Sequence, residues 1–106
     1  MIEIKQETGY KNIYRLVAID TESNTKIAFS ELKGIDKPVP FFYCKVDEPY
    51  MGKNIGTNLL KETIKYAKEN GLEGIFVRFD GNVRAKMMLK KQGFKLYSKD
   101  IAMIEF

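Results

Sequence analysis

The sequence contains no histidine and only one cysteine among its 106 residues. Without histidine, the chain lacks the side chain best suited to general base catalysis near neutral pH and the commonest zinc ligand. With one cysteine and scattered carboxylates, we expect no metal site. Because Cys44 has no partner for an internal disulfide, we expect a reducing, cytoplasmic environment.

Long apolar runs are also missing. The longest apolar clusters, 41–44 and 75–79, have the length of strands and are too short to cross a bilayer. Residues 1–5 lack the basic and then apolar pattern of a secretory signal. The length and the ordinary share of charged residues, 30%, therefore predict one globular domain over residues 1–106 with no membrane partner.

The formal net charge of +4 suits an anionic partner, although a mild lysine excess is also common on small proteins. One alternative partner is RNA, because residues 76–79 match the last half of an RNA-recognition-motif signature. The first half fails at residues 73–75, and the order of elements differs. We therefore do not expect a nucleic-acid partner.

Hydrophobic periodicity predicts an α/β domain. Strand patterns cover 2–6, 12–20, 26–32 and 41–46 in the first half, and 74–79, 94–97 and 101–106 in the second. Helical stripes follow residue 55 and residue 82, where Asn82 is a suitable N-cap. The predicted order is β-β-β-β-α-β-α-β-β.

The segment 51–57, Met-Gly-Lys-Asn-Ile-Gly-Thr, leads from the fourth strand directly into the first helix. A glycine-bearing turn at a helix N-terminus presents free backbone N–H groups and a positive dipole end to an anion. The spacing matches neither a P-loop nor a dinucleotide fingerprint. Taken alone, it also suits a turn that simply needs glycine.

Two segments resemble motifs of the GNAT acyltransferase superfamily. Residues 46–60, VDEPYMGKNIGTNLL, resemble its coenzyme A motif, in which a strand is followed by Arg/Gln-x-x-Gly-x-Gly/Ala and a helix. Residues 82–94, NVRAKMMLKKQGF, resemble its second motif, with identity at Asn82, Ala85, Lys91, Gly93 and Phe94. The resemblance implies a single-domain GNAT-like fold with a mixed, mostly antiparallel sheet and two main helices.

The resemblance also implies that acetyl-coenzyme A is the cosubstrate and an amine the acceptor. The fourth strand would splay from strand 75–79, and the pantetheine arm would lie in the gap, bonded to backbone near Cys44, Lys45 and Val46. Asn82 and Lys86 would reach the arm or the adenosine phosphate. The pyrophosphate would be held by the backbone of the turn: Gly52, Lys53, Asn54, Ile55, Gly56 and Thr57.

Three positions depart from the family pattern. Met51 replaces the usual Arg or Gln and removes a side-chain hydrogen bond. Asn54 replaces the first motif glycine, and we expect the turn to survive because Asn tolerates left-handed dihedrals. Leu89 replaces the tyrosine that commonly protonates the departing thiolate. The usual catalytic acid is therefore missing.

The family commonly places two helices between the first and second strands, where they wall the acceptor site. Only residues 7–11 lie there in this sequence, so the resemblance implies a small variant with an open acceptor side. Such a side suits a protein lysine or N-terminus. It also suits a wall supplied by a second subunit, and a homodimer therefore remains open.

Acyl transfer requires a neutral amine, whereas a free lysine has a pKa of about 10.4. A carboxylate is the candidate base, and Glu31, on a strand facing the expected acceptor side, ranks first. Tyr97 and Tyr43 are candidate acids. Three other carboxylates near strand ends are alternative bases: Asp47, Glu48 and Asp80. For each of these residues, a purely structural or solvated role is the alternative.

Cys44 could form an acyl-cysteine intermediate, but alternation groups it with Phe42 and Val46, and no histidine is present to activate it. We therefore expect a buried structural cysteine. Altogether the sequence predicts an N-acetyltransferase working by direct transfer. The alternative, favoured by Leu89 and the missing histidine, is a catalytically silent domain that binds coenzyme A or a partner protein.

Overall fold

The structure, a computed structural model, describes residues 1–106 and confirms the predicted order of elements. The first helix is α1 (Ile55–Glu69), preceded by a 3-10 turn at Glu48–Tyr50, and the second is α2 (Val83–Lys91). The seven strands are β1 (Ile2–Glu7), β2 (Ile13–Asp20), β3 (Thr25–Lys33), β4 (Phe41–Val46), β5 (Gly74–Arg78), β6 (Lys95–Leu96) and β7 (Ile101–Glu105).

The strands form one mixed sheet in the order β1-β2-β3-β4-β5-β7-β6. Every pair is antiparallel except β4 and β5, which are joined by the α1 crossover and therefore run parallel. The parallel pair is short, because Phe41 pairs with Phe76 and Phe42 with Val77, and pairing ends there. The two strands diverge beyond this point and leave a notch in the sheet.

Both helices pack on one face of the sheet. The apolar stripe of α1 includes Leu59 and Leu60, and α2 contributes Leu89, all of them fully buried. Leu60 and Leu89 share a core cluster with Phe42 of β4 and Ile75 of β5. The stacked rings of Tyr14 and Tyr66, 3.7 Å apart, also join β2 to α1.

The other face of the sheet carries no helix. Alternation places Phe29, Phe41, Tyr43 and Phe76 there, and the ring centres of Phe41 and Phe76 are 5.0 Å apart. We call this side the open face. The connection between β1 and β2, residues 8–12, forms no helix.

The predicted strand 94–97 is shorter in the structure. Phe94 is buried and its N–H donates to the carbonyl of Leu89, closing the end of α2. The chain can therefore pair as β6 only at Lys95–Leu96. The helix stop, and not the strand propensity of Phe94, decides this boundary.

Candidate functional site

A groove made of three adjoining cavities runs from the notch to the outer side of α2. The first cavity, about 220 Å³, fills the notch between Tyr43 of β4 and Arg78 of β5. The second, about 320 Å³, shares Cys44 and Met88 with the first and lies against the start of α1. The third, about 410 Å³, shares Arg84 with the second. Such a shape suits a long ligand that crosses the sheet at one end.

The notch exposes unpaired backbone on β4. The N–H of Asp47 donates to the carbonyl of Ile27, so alternate residues of β4, including Lys45, bond to β3. The backbone groups of Cys44 and Val46 face the gap instead and have no partner within the protein. Cys44 and Val46 line the groove, whereas Lys45 points its side chain to the open face and lines none of the three cavities.

The turn before α1 has the geometry of an anion cradle. Asn54, the N-cap residue, adopts a left-handed conformation with φ 62° and ψ 16°, and its side chain makes no capping hydrogen bond. None of the N–H groups from Gly52 to Thr57 donates to an acceptor within the protein, and the first turn holds no acidic residue. Free N–H groups at a helix N-terminus attract an anion.

The cradle is anchored to the β2–β3 hairpin. The hydroxyl of Tyr50 donates to Asp20 Oδ2 at 3.2 Å, and this hydrogen bond raises the pKa of Tyr50. The Lys53 ammonium lies 5.5 Å from the centre of the Tyr50 ring and lines none of the groove's cavities. Met51 lines the second cavity and is 62% exposed, and it offers no polar group there.

Gly56, the second residue of α1, faces β4 across the groove. A Cβ atom at this position would lie 3.7 Å from both Cys44 Sγ and Val46 Cγ2. Burial raises the pKa of the Cys44 thiol to about 11. The thiol is therefore protonated at neutral pH and unsuited to nucleophilic attack.

The far end of the groove is cationic because Arg84 and Lys91 both line the third cavity. Arg84 was not predicted from the sequence, although its spacing to Met88 and Lys91 places all three on one helical face. Lys86 lies on another face of α2 and lines none of the three cavities. Asn82 caps α2, since its side-chain oxygen accepts from the Ala85 N–H at 3.0 Å.

Glu31 lies on the open face of β3, directly across from Tyr43 in the β3–β4 register, and lines none of the groove's cavities. Arg15 Nη1 donates to Glu31 Oε2 at 2.7 Å, and Lys33 Nζ lies 3.6 Å from Oε1. The Glu31 side chain is only 14% exposed. Arg15 also bonds to Glu7 at 2.8 Å, so the carboxylate belongs to a network that spans three strands.

The other candidate side chains lie farther from the groove. Tyr97 follows β6, two strands beyond β5, where its ring packs against Phe76 and borders a separate cavity of about 290 Å³. Asp47 and Glu48 are exposed and line none of the groove's cavities. Asp80 Oδ1 lies 3.3 Å from Arg78 Nε in an exposed ion pair.

Two further observations bear on the alternatives. Phe79, one aromatic of the partial RNA-binding signature, is buried in the core and cannot stack on a base. No group of three or more metal-ligating side chains comes together, and no helix is long and apolar enough to cross a membrane.

These features give the domain a groove whose shape and free N–H groups suit an elongated anionic ligand. The chain belongs to the acetyltransferase (GNAT) family, whose sequence profile matches residues 4–94. No curated protein matches the chain.

Solved structures have the same fold. An IAA acetyltransferase from Bacillus cereus superposes with a TM-score of 0.85 at 15% identity, covering 100% of both chains. A domain from Methanocaldococcus jannaschii superposes with a TM-score of 0.83 at 16% identity, and the match covers 100% of this chain and 99% of the other. A ribosomal-protein-S5-alanine acetyltransferase from Vibrio fischeri superposes with a TM-score of 0.77 at 18% identity, and the match covers 89% of this chain and 62% of the other. At these identities the likeness concerns the fold.

Proposed function

We propose that this protein is an N-acetyltransferase that binds acetyl-coenzyme A in the groove and transfers the acetyl group to an amine arriving on the open face. One observation carries the proposal: the groove joins an anion cradle at the α1 N-terminus to a notch that reaches the open face. Donor and acceptor can therefore meet from opposite sides of the sheet. The single free thiol fits a reducing cytoplasm.

Each part of the groove matches a part of the ligand. The free N–H groups of residues 52–57 suit the pyrophosphate, and Arg84 and Lys91 suit the phosphate on the adenosine. The unpaired backbone of Cys44 and Val46 suits the amides of the pantetheine arm. Asn82 Nδ2 remains available at the edge of α2, whereas Lys86 would need to change rotamer to contribute.

Bound acetyl-coenzyme A supplies a thioester, which reacts with an amine nitrogen so that the new C–N bond replaces the C–S bond. The protein must accept one proton from the amine and return one to the sulfur. Glu31, on β3 across from the notch residue Tyr43, is the proposed proton acceptor, directly or through a water. Tyr43 lines the notch and is the nearest proposed donor, with Tyr97 the more distant one.

A second candidate function is binding without turnover. Two observations favour it: both Glu31 oxygens are engaged by cations, and Leu89, which borders the notch, cannot donate a proton. In that case the domain would hold coenzyme A, or a partner protein, without transferring the acetyl group.

The two functions are separated by following thiol release from acetyl-coenzyme A in the presence of free lysine, a lysine-containing peptide and a peptide with a free N-terminus. Mass spectrometry of each amine identifies the acetylated product. We expect acetylation of at least one amine above the rate seen without protein. Saturable acetyl-coenzyme A binding with no product from any amine would contradict transfer and support the silent domain.

A further inference from the structure

β1 is an edge strand whose outward backbone groups have no partner. It pairs only with β2, and the Thr21 N–H donates to the Met1 carbonyl at 3.0 Å. Alternation along an antiparallel ladder then directs the N–H and C=O groups of Glu3, Lys5 and Glu7 toward β2. Those of Ile2, Ile4 and Gln6 point away from the sheet, and none of them is bonded within the protein.

The side chains of this edge are complementary to themselves. We propose that two copies of the chain pair through β1, antiparallel and centred on Ile4, to form a continuous sheet. In this register Ile4 faces the partner's Ile4 and Ile2 faces the partner's Gln6, so the free backbone groups bond to one another. Glu3 then faces the partner's Lys5, and Lys5 faces the partner's Glu3. Both charge contacts occur at non-hydrogen-bonded pairs, where opposing side chains approach most closely.

The charges select this register over its neighbours. The outward groups can bond only if even-numbered residues face even-numbered residues. Moving the pairing to the next such register puts Glu3 opposite a second Glu3, or Lys5 opposite a second Lys5. A symmetric parallel pairing also juxtaposes like charges. Charged residues ordinarily protect sheet edges from pairing, but here the Glu-x-Lys spacing makes a second copy the matching partner.

The side chains involved are accessible and not committed elsewhere. Glu3 and Lys5 are 49% and 57% exposed, and their only ion pair is with each other at 3.7 Å. Ile2 is 39% exposed, and Ile4 packs against the core beneath β2. Pairing through β1 would therefore extend the apolar face that supports α1.

The dimer leaves the groove free, because β2 and β3 separate β1 from β4. Antiparallel edge pairing has its two-fold axis perpendicular to the sheet, so both open faces lie on the same side. If the proposed acetyl transfer holds, two notches would then face one partner surface. The dimer itself does not depend on that activity.

Sedimentation equilibrium over a range of about 10 µM to 1 mM tests the pairing, since a small interface is expected to be weak. We expect a reversible dimer for the unaltered chain. Glu3→Lys gives an all-basic edge and Lys5→Glu an all-acidic edge, and each should weaken self-association about tenfold or more. Mixing the two variants should restore dimers, because every charge contact becomes complementary again. Glu22→Lys, on the exposed β2–β3 turn, is the matched charge-reversal control.

Three results would overturn the proposal. The first is a monomer at every concentration. The second is a pair of observations: Glu3→Lys and Lys5→Glu still associate as the unaltered chain does, whereas Phe41→Ser does not associate. That pair would assign the contact between copies to the open face. The third is a mixture of the two charge variants that associates no more than either alone. Circular dichroism of each variant establishes that the fold is retained, as the exposed positions lead us to expect.

Discussion

Glu31 and Arg15 face each other across β3 and β2, and their side chains are joined by a 2.7 Å hydrogen bond on the open face. The bond holds the Glu31 carboxylate toward β2, and Tyr43 of β4 is the residue across from Glu31 on the other side. The same bond engages an oxygen that a general base would use. The other oxygen, Oε1, has only the Lys33 ammonium at 3.6 Å and is therefore the atom better placed to accept a proton.

Replacing Glu31 with Gln keeps the size of the side chain and removes its basicity. We expect kcat to fall by about 10²–10⁴, the usual contribution of a general base, while the affinity for acetyl-coenzyme A stays unchanged. A thiol-release assay measures kcat, and calorimetry measures the affinity for acetyl-coenzyme A. Glu22→Gln is the control. Full activity of Glu31→Gln, with a rate that simply follows the ionisation of the amine, would show that no base is required.

Tyr43 is the only residue of β4 with a hydroxyl, and it lines the notch; Tyr43→Phe removes that hydroxyl. If this hydroxyl protonates the departing thiolate, kcat should fall by about tenfold or more with unchanged cofactor affinity. Tyr97→Phe is the comparison, and its effect should be smaller because Tyr97 lines none of the groove's cavities. Equal losses for both, or no loss for either, would assign the proton to water.

The cationic end of the groove gives a binding prediction. Arg84→Ala and Lys91→Ala should each weaken coenzyme A binding by about tenfold, because each removes a charge-assisted contact to phosphate. Binding of a coenzyme A analogue without the 3′-phosphate should be much less affected. Lys86→Ala and Lys90→Ala are the controls on the same helix. If Lys86→Ala weakened coenzyme A binding and Arg84→Ala did not, the phosphate contact would have to be assigned to Lys86 and not to Arg84.

The raised pKa of Cys44 predicts slow alkylation at neutral pH. The rate with iodoacetamide should increase about tenfold per pH unit from pH 7 to 9, because both values lie well below a thiol pKa of about 11. Acetyl-coenzyme A should protect the thiol, which lines the groove. An acetyl adduct on Cys44 after incubation without an acceptor would instead support an acyl-cysteine intermediate.

Local signals in the sequence were sufficient to predict most of the fold. The left-handed conformation of Asn54 and the strand β4 that leads to it follow from residue preference and alternation. The position of Glu31 on the open face follows from the same alternation. Each of these depends on neighbours along the chain.

Features that depend on partners distant in sequence were not predicted. The ion pairs of Glu31 with Arg15 and Lys33 require the register of β2 against β3, which includes a bulge at Ala18/Ile19. Arg84, and not Lys86, lines the groove, and which of the two does so depends on how α2 is rotated against β4 and β5. The 3-10 turn at Glu48–Tyr50, which brings Tyr50 to Asp20, is likewise set by a contact 30 residues away.

The most direct test of the account is calorimetric titration of acetyl-coenzyme A into the unaltered protein and into Gly56→Asp. A Cβ atom at position 56 would meet only ordinary contacts at 3.7 Å, and the Asp carboxylate would add a negative charge at the anion cradle; circular dichroism establishes that the variant is folded. Asn58→Asp adds the same charge to an exposed position of the same helix end and is the control. We predict that Gly56→Asp loses at least about tenfold in affinity, or about 1.4 kcal/mol, while Asn58→Asp binds nearly as tightly as the unaltered protein. Unchanged affinity in a folded Gly56→Asp variant would contradict the groove as the acetyl-coenzyme A site.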